Sequence, residues 1–571
     1  MTDEWLTYYE KSGCLATPVY AESIAYFKKL AAASRFLQIK EYGETASGRP
    51  LYAVIAATNN AFTPKQAHRQ GKAVIFIQNG IHAGEIAGKD AWMLLLREIL
   101  IRKTRPGFLD NVVLVIIPAV NPDGHERRTP LNRPNQIGPT ETGWRTTAHN
   151  LNLNRDYMKA DAPEMRALLH LFHQWKPDFM IDNHTTNGAD YQYHISYSLE
   201  FHPNIDQALG KWGKYELMPR VIRTLEEKGF ETAPYLESKT DDLKDGIAIE
   251  PGLPRYSTGY AAVQNRLGLL VETHSLKTYK NRVESTFAMN ESVITLIGAN
   301  AAGLKQMNRE ADEAAIRDYS VKKKKYTLNY KMTDAYEIMM FKGYKTNKVW
   351  SDALGMEVVL YTKEPEVFPM PIYAAPVPSK TVSVPAAYCI PPYLKHIVKL
   401  LKLHGITVLP CRTEAEVPVT RYRFTDTRPA LFPYEGRMRL EVDTEVVAAT
   451  MTPGPGWFIV PTRQKGVRCI MQLLEPEGKD SLVSWGFFNA YIERKEYAEK
   501  YVMEPLIKKM LDEDQELRAE FEDLLRNDPC MRSDPMKRLE YFYRRSPFFD
   551  PNENVYPIVM IRDRKDLKKL V

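Results

Sequence analysis

Four short runs of apolar, largely β-branched residues frame the amino-terminal half of the chain: Ala73–Ile77, Val112–Ile117, Phe179–Ile181 and Leu269–Val271. Runs of this length and composition read as buried strands. Each empties into polar or ionisable residues. The first is broken by Asn79-Gly80 and leads through Ile81-His82-Ala83-Gly84-Glu85 into a helical stretch from Glu85 to Arg102, with Ile86, Trp92, Leu94, Leu95, Ile99 and Leu100 as its apolar positions. The second ends in Pro118-Ala119-Val120-Asn121-Pro122-Asp123-Gly124, where Asn-Pro and Asp-Gly signal a sharp turn. The third delivers His184, and the fourth delivers Glu272, followed by Thr273 and His274. Strands alternating with helices predict an α/β unit with a mixed, mostly parallel central sheet flanked by helices. In such sheets ligands bind beyond the carboxyl ends of the strands, where these polar groups gather.

The pattern changes after a long helical stretch, Glu284 to Arg317, and a run of four lysines, Lys322–Lys325, which reads as a solvated connector. From there to about 460 the chain shows short β-like runs such as Glu357–Tyr361. Pro365, Pro369, Pro371, Pro376 and Pro378 punctuate them, favouring a linker or edge strands. One helix, Leu394 to His404, stops at Gly405, and the segment from Tyr497 to Leu525 is charged, Leu-rich and helical. The expected division is an α/β unit at 1–318 and a smaller β-rich, α+β accessory domain at 319–571 ending in helices. Trp457 and the Trp485-Gly486-Phe487-Phe488 cluster read as core rather than as exposed binding aromatics.

At 571 residues, 44% hydrophobic and 26% charged, the chain has the composition of a globular protein of two or three domains. A net charge of +6, with no dense interleaving of basic and aromatic residues, argues against a nucleic-acid partner. No apolar stretch approaches the roughly 20 residues of a membrane-spanning helix. Five scattered cysteines contain no CxxC pair, so neither a disulfide framework nor a structural zinc module is expected. The amino terminus, Met1-Thr2-Asp3-Glu4-Trp5, lacks the segments of a signal peptide; as written it reads as cytoplasmic, and as periplasmic or secreted if a leader has been removed.

An imidazole and a carboxylate three residues apart, His82 and Glu85, can reach one small ion from a single turn, and zinc takes such mixed nitrogen and oxygen ligands in catalytic sites. Alone, this spacing is weak in a chain with 12 histidines. Its context makes it specific. The ordered set HxxE at His82 and Glu85, NPDG at Asn121–Gly124, Trp144-Arg145, Asn154-Arg155, then His184 and Glu272 resembles the carboxypeptidase A family of zinc metallopeptidases over roughly residues 40 to 310. The resemblance implies one zinc per chain held by His82, Glu85 and His184, with Glu272 as general base and acid and Arg145 stabilising the oxyanion. It also implies that Asn154 and Arg155 bind the terminal carboxylate of a peptide substrate, with Tyr256 or Tyr260 capping it and Tyr256 preferred. The implied activity is that of a metallocarboxypeptidase acting on peptides with a free C-terminal carboxylate.

The residues leave rival readings open. Glu272 could be a structural carboxylate paired with an arginine, and Arg145 one of several loop arginines between Glu126 and Arg155. His149, His173, His194 and His274 read as core, surface or supporting histidines, and Asp123 as a turn residue that shapes the loop floor. Where the family usually places Asp, two residues before Asn154, this chain has Asn152, so support of a zinc-bound histidine could pass to another acid such as Asp182. Two other function classes fit the same residues: a zinc amidase or deacylase of cell-wall peptides or amino-acid amides, and a binding protein on an inactive peptidase scaffold.

Overall fold

A computed structural model describes residues 4–571. All four apolar runs become strands of one eight-stranded mixed sheet. Its members are β1 (Leu37–Glu44), β2 (Pro50–Ala56), β3 (Ala73–Asn79), β4 (Val112–Ile117), β5 (Phe179–Thr185), β6 (Ile195–Leu199) and β7 (Thr232–Pro234), with β8 (Ile247–Ala248) outside it and β9 (Leu267–Thr273) at its centre. The order is β1-β2-β4-β3-β5-β9-β6-β7. The middle four strands, β4, β3, β5 and β9, are mutually parallel. Every residue of β3, β4 and β5 is buried, which is why these segments are continuously apolar rather than alternating. Each large apolar side chain removed from water there contributes about 1.5–3 kcal/mol. From β3 the chain runs outward to β4 and then crosses back to β5 on the other side of β3, so the crevice between β3 and β5 is the switch point of the sheet.

The NPDG turn is a single helical turn, Pro122–Glu126, capped by the Asn121 side chain, which accepts from Gly124 N at 2.9 Å. Asp123 does more than close a turn. It accepts from Thr45 Oγ1 (3.0 Å), Ser47 N (3.1 Å) and Arg49 Nη1 (2.5 Å), binding the β1–β2 loop to the floor of the site. Asp123→Ala is therefore expected to cost about 2–4 kcal/mol, measured as a lower denaturation midpoint at unchanged m-value, because it strands three donors that Asp123 satisfies.

Downstream, the long helical stretch is interrupted. Helices Tyr279–Ala299 and Ala301–Ala315 meet at Asn300, which has φ −124° and ψ 27° and so departs from helical geometry. Beyond them come β10 (Tyr326–Met332), β11 (Tyr336–Ser351), β12 (Met356–Tyr373) and β13 (Pro376–Val382). The β-like runs are longer than the sequence suggests, 16 and 18 residues in β11 and β12. Pro365, Pro369 and Pro371 lie inside β12, at positions of equal parity, so their missing N–H groups fall on one edge and leave the ladder to β11 free to form. β14 (Ala387–Ile390), β15 (Leu409–Pro410), β16 (Val417–Pro429), β17 (Leu440–Met451), β18 (Phe458–Pro461) and β19 (Val559–Ile561) build a six-stranded sheet in the order β15-β18-β14-β19-β16-β17. Helices at Lys500–Glu513, Gln515–Asn527 and Pro535–Arg545 form a separate small cluster. The molecule is thus an α/β protein with an added β-rich carboxyl-terminal part.

The two parts share a core. One apolar cluster runs from Val74 and Phe76 of β3 through Tyr260 to Tyr388, Ile390 and Met471. Two ion pairs cross between the parts, Arg255 Nε to Asp480 Oδ1 at 2.7 Å, which is buried, and Lys465 Nζ to Asp312 Oδ2 at 3.2 Å. Trp485 and Phe488 are fully buried, in keeping with the core reading. No helix among the described residues is long and apolar enough to cross a membrane.

Candidate active site

Strand register brings the site together. His184 on β5 and Glu272 on β9 are direct partners in the parallel ladder, and Asn79 at the end of β3 is opposite Asn183 on β5. Beneath them runs a buried chain of amides. Asn290 Nδ2 donates to Asn183 Oδ1 (3.0 Å), Asn183 Nδ2 to Asn79 Oδ1 (2.8 Å), and Asn79 Nδ2 to Ile117 O (2.8 Å). Fully satisfied buried networks of this kind hold strand ends in one arrangement. Just beyond β3, Glu85 N bonds back to His82 O at 2.9 Å, and this tight turn throws both side chains the same way.

His82 Nδ1 lies 3.1 Å from Glu85 Oε2, and His184 Nδ1 lies 2.9 Å from the same oxygen. The three residues offer ligand atoms all within 4.8 Å of one another, and each is buried. Behind the rings, His82 Nε2 is hydrogen-bonded to Asn152 Oδ1 at 3.1 Å, and His184 Nε2 lies in ion-pair contact with Asp182 Oδ2 at 2.8 Å without hydrogen-bond alignment. Each imidazole therefore turns Nδ1 towards Glu85 and has an oxygen of Asn152 or Asp182 behind its other nitrogen, an arrangement compatible with a metal-ligating histidine. Two nitrogens and one carboxylate fit a catalytic zinc with one position left for water. Asn152 supports one histidine with a neutral amide, and Asp182 supplies the carboxylate behind the other. Asp182 also accepts from Ser257 Oγ at 2.5 Å.

The charges are strongly biased. Burial pushes His82 down to about 4. His184 is also opposed by burial, yet the Asp182 carboxylate outweighs it and raises His184 well above the ordinary histidine value. Burial works against ionisation of Glu85, but His82, Arg133 and His184 hold its carboxyl well below the usual range. Glu272 goes the other way, up to about 8, first from burial and then from the negative charges of Glu85 and Asp182, with His184 opposing. Two carboxyl groups of one site are thus driven in opposite directions by their surroundings.

A cavity of about 310 Å³ opens over these groups, and its walls include Arg145, Asn154, Arg155, Tyr256 and Glu272 as well as the three candidate ligands. All eight candidate residues thus meet at one place. Arg145 reaches Glu85 Oε1 at 3.2 Å from the loop above. Its approach depends on glycine: a Cβ at Gly124 would stand 2.6 Å from Trp144 O, and one at Gly143 would stand 2.9 Å from Ala83 O. Arg155 is half-buried. Its Nη1 donates to Asn154 O at 2.8 Å, its Nε to Tyr434 OH at 3.1 Å, and its guanidinium carbon lies 4.5 Å from the Tyr256 ring centroid. Asp156 is taken by Lys159 and Asp182 by His184; Arg155 makes no ion-pair contact with a carboxylate among the described residues, and its charge is felt by Glu237 in the same cavity wall. Asn154 Oδ1 accepts from Ser257 N at 3.2 Å, and its Nδ2 makes no hydrogen bond among the described residues.

The other candidates separate cleanly. Tyr260 is fully buried between His173 Nε2 (2.7 Å) and His404 Nδ1 (3.0 Å) and does not line the cavity. His274 pairs with Asp190 at 3.2 Å, outside the ligand set. Two residues had no signal in the sequence. Arg133, from the irregular basic stretch, binds Glu85 Oε1 at 3.0 Å and occupies the space that a side chain at residue 84 would need, its Cγ and Cδ 2.9 Å from an added Gly84 Cβ. Tyr235, just after β7, lines the cavity close enough for the Glu272 charge to be the main cause raising its phenol.

Residues 23–214 match the family profile described as zinc carboxypeptidase. Carboxypeptidase 2 of Trichophyton rubrum is 24% identical over 486 residues, covering 81% of this chain and 82% of its own length. Carboxypeptidase Z of Gallus gallus is 28% identical over 149 residues, 24% of this chain and 21% of its own. Among solved structures, a metallo-carboxypeptidase from Burkholderia cenocepacia aligns over 49% of this chain and 69% of its own, with a TM-score of 0.36 and 17% identity. Carboxypeptidase A from Helicoverpa armigera aligns over 50% and 73%, with a TM-score of 0.35 and 16% identity.

Proposed function

We propose that this chain, which carries a domain of the zinc carboxypeptidase family and is a hydrolase of that kind, removes the C-terminal residue of peptides with His82, Glu85 and His184 as the ligands of one zinc ion per chain. Zinc held there supplies Lewis acidity and brings the pKa of a bound water towards ~7. Glu272, poised beside His184 with Oε2 unpartnered, takes the proton of the attacking water and returns it to the leaving amine. Arg145 offers a fixed positive charge to the oxygen that becomes negative as the carbonyl is attacked. Arg155 and Asn154 receive the substrate's terminal carboxylate, and the Tyr256 ring supports the guanidinium from one face.

The observation that carries this reading is a guanidinium in the cavity wall with no carboxylate in ion-pair contact, Glu237 in the same wall feeling its charge only at longer range. An arginine kept for structure would be expected to have such a contact. Truncating Arg155 should remove a charge-assisted, forked contact worth ~2–4 kcal/mol, or roughly 30- to 1000-fold in kcat/KM, from substrates with a free C-terminus. The same peptides amidated at the C-terminus never make that contact and should lose far less. Kinetics of Arg155→Ala on a matched acid and amide pair is the test. Equal losses on both would favour an amidase or endopeptidase instead.

A further inference from the structure

The cavity itself is lined by residues of the α/β unit, but the support behind Arg155 is not part of that unit. It comes from the turn joining β16 to β17, residues 430–439, roughly 280 positions later in the chain. At its tip Tyr434 and Arg437 pair with each other (Tyr434 N to Arg437 O, 2.9 Å) around Glu435 and Gly436, both of positive φ (50° and 77°), a geometry that closes a two-residue turn. Two side chains of this tip reach the site. Tyr434 OH accepts from Arg155 Nε at 3.1 Å, and Glu435 Oε2 accepts from Asn152 N at 2.8 Å. Asn152 is the residue whose side chain holds His82 Nε2.

The tip is firmly anchored. Arg437 forms two hydrogen bonds with Asp161 (2.7 and 2.6 Å) and lies over the Phe487 ring at 3.8 Å. The Tyr434 ring stacks on fully buried Trp485, centroids 6.0 Å apart and planes at 17°. Trp485 is in turn flanked by Arg255 and Arg439, at 5.1 and 4.6 Å. A turn held at its base by a bidentate ion pair and a stacked indole is a rigid support, which a long, rotamer-rich side chain such as arginine needs if it is to present a fixed fork.

We infer that the β16–β17 turn is part of the substrate site and that Tyr434 is a positioning residue for Arg155. With Nε held by Tyr434 and one Nη1 hydrogen held by Asn154 O, the guanidinium keeps the two Nη2 hydrogens and one Nη1 hydrogen for an incoming carboxylate. Tyr256 beneath and Tyr434 at the edge fix both the plane and the rotation of the group. The later half of the chain then sets affinity for the substrate's C-terminus without touching the bond that is cleaved. This inference rests on the carboxylate-binding reading of Arg155.

Tyr434→Phe removes the hydroxyl and keeps the ring on Trp485. For a peptide with a free C-terminus KM should rise about three- to tenfold with kcat within about twofold, as expected for loss of one hydrogen bond to an ordered charged group. For the amidated peptide neither parameter should move, and in an Arg155→Ala background the same change should have no further effect. An equal rise in KM on acid and amide, or no change on either, would overturn the role of Tyr434. Arg155→Ala on its own separates the two ideas. If it discriminates acid from amide while Tyr434→Phe does not, only the present inference falls; if it does not discriminate, the carboxylate reading falls and this inference with it.

Discussion

Replacing Glu272 by Gln is expected to leave metal content and fold unchanged and to lower kcat/KM by at least about 10³-fold. The reasoning starts from what a folded protein tolerates. Glu272 is only 7% exposed, Oε2 has no hydrogen-bond partner among the described residues, and burial with the charges of Glu85 and Asp182 outweighs the attraction of His184 and Arg133. A structural carboxylate would have an arginine or a set of backbone donors, as Asp480 has from Arg255 and Asp123 has from Arg49. A buried acid kept without such partners costs stability, and a site that needs a proton acceptor beside the scissile bond accounts for it. Gln has nearly the same shape, cannot carry the proton in either direction, and relieves the repulsion. Thermal stability should therefore be equal or slightly higher in the variant while turnover collapses. Activity within about tenfold of the wild type, measured on a blocked dipeptide with metal content checked in parallel, would make Glu272 structural.

The sequence showed the parts of this site more clearly than their assembly. The four apolar runs that become β3, β4, β5 and β9 are legible because both faces of a central parallel sheet are buried, which leaves little room for polar residues. The candidate ligands are legible because His82 and Glu85 lie in the turn after one such run and His184 at the end of another. Strand order is not, since nothing local to Val112–Ile117 says that it lies outside β3 rather than next to β5. Arg133 and Tyr235 act through space alone, from a loop and a strand end with no periodicity, and Tyr434 comes from a different sheet. The prolines of β12 suggested linker or edge strand because composition does not reveal that Pro365, Pro369 and Pro371 share one edge. The break at Asn300 was hidden by apolar spacing that continues on both sides of it. Asn152 in place of the usual Asp was visible, and so was Asp182 as a possible substitute; that the two residues support different histidines emerged only from the geometry.

The purified protein should carry about one zinc per chain, and His184→Ala should lose it after dialysis against a chelator, with activity falling to background. The expectation follows from how few ligand atoms the site has. Three donors lie within 4.8 Å of one another, and removing one leaves His82 and Glu85, a turn-borne pair that cannot complete a catalytic zinc shell. His184 is also the donor backed by a full carboxylate, Asp182, so its loss removes the more basic of the two imidazoles. Asn152→Asp is the complementary change. It places a charge behind His82 Nε2, where a neutral amide now sits at 3.1 Å, and should tighten zinc binding by up to about tenfold if His82 is a ligand. Because Asp182 keeps a hydrogen bond from Ser257 in the alanine variant, the fold should survive, which circular dichroism can check. The pair of variants separates two roles that share one cavity: Glu272→Gln should hold zinc and lose turnover, whereas His184→Ala should lose both. Stoichiometric zinc persisting in His184→Ala would mean that the metal sits elsewhere, and the ligand assignment would have to be abandoned.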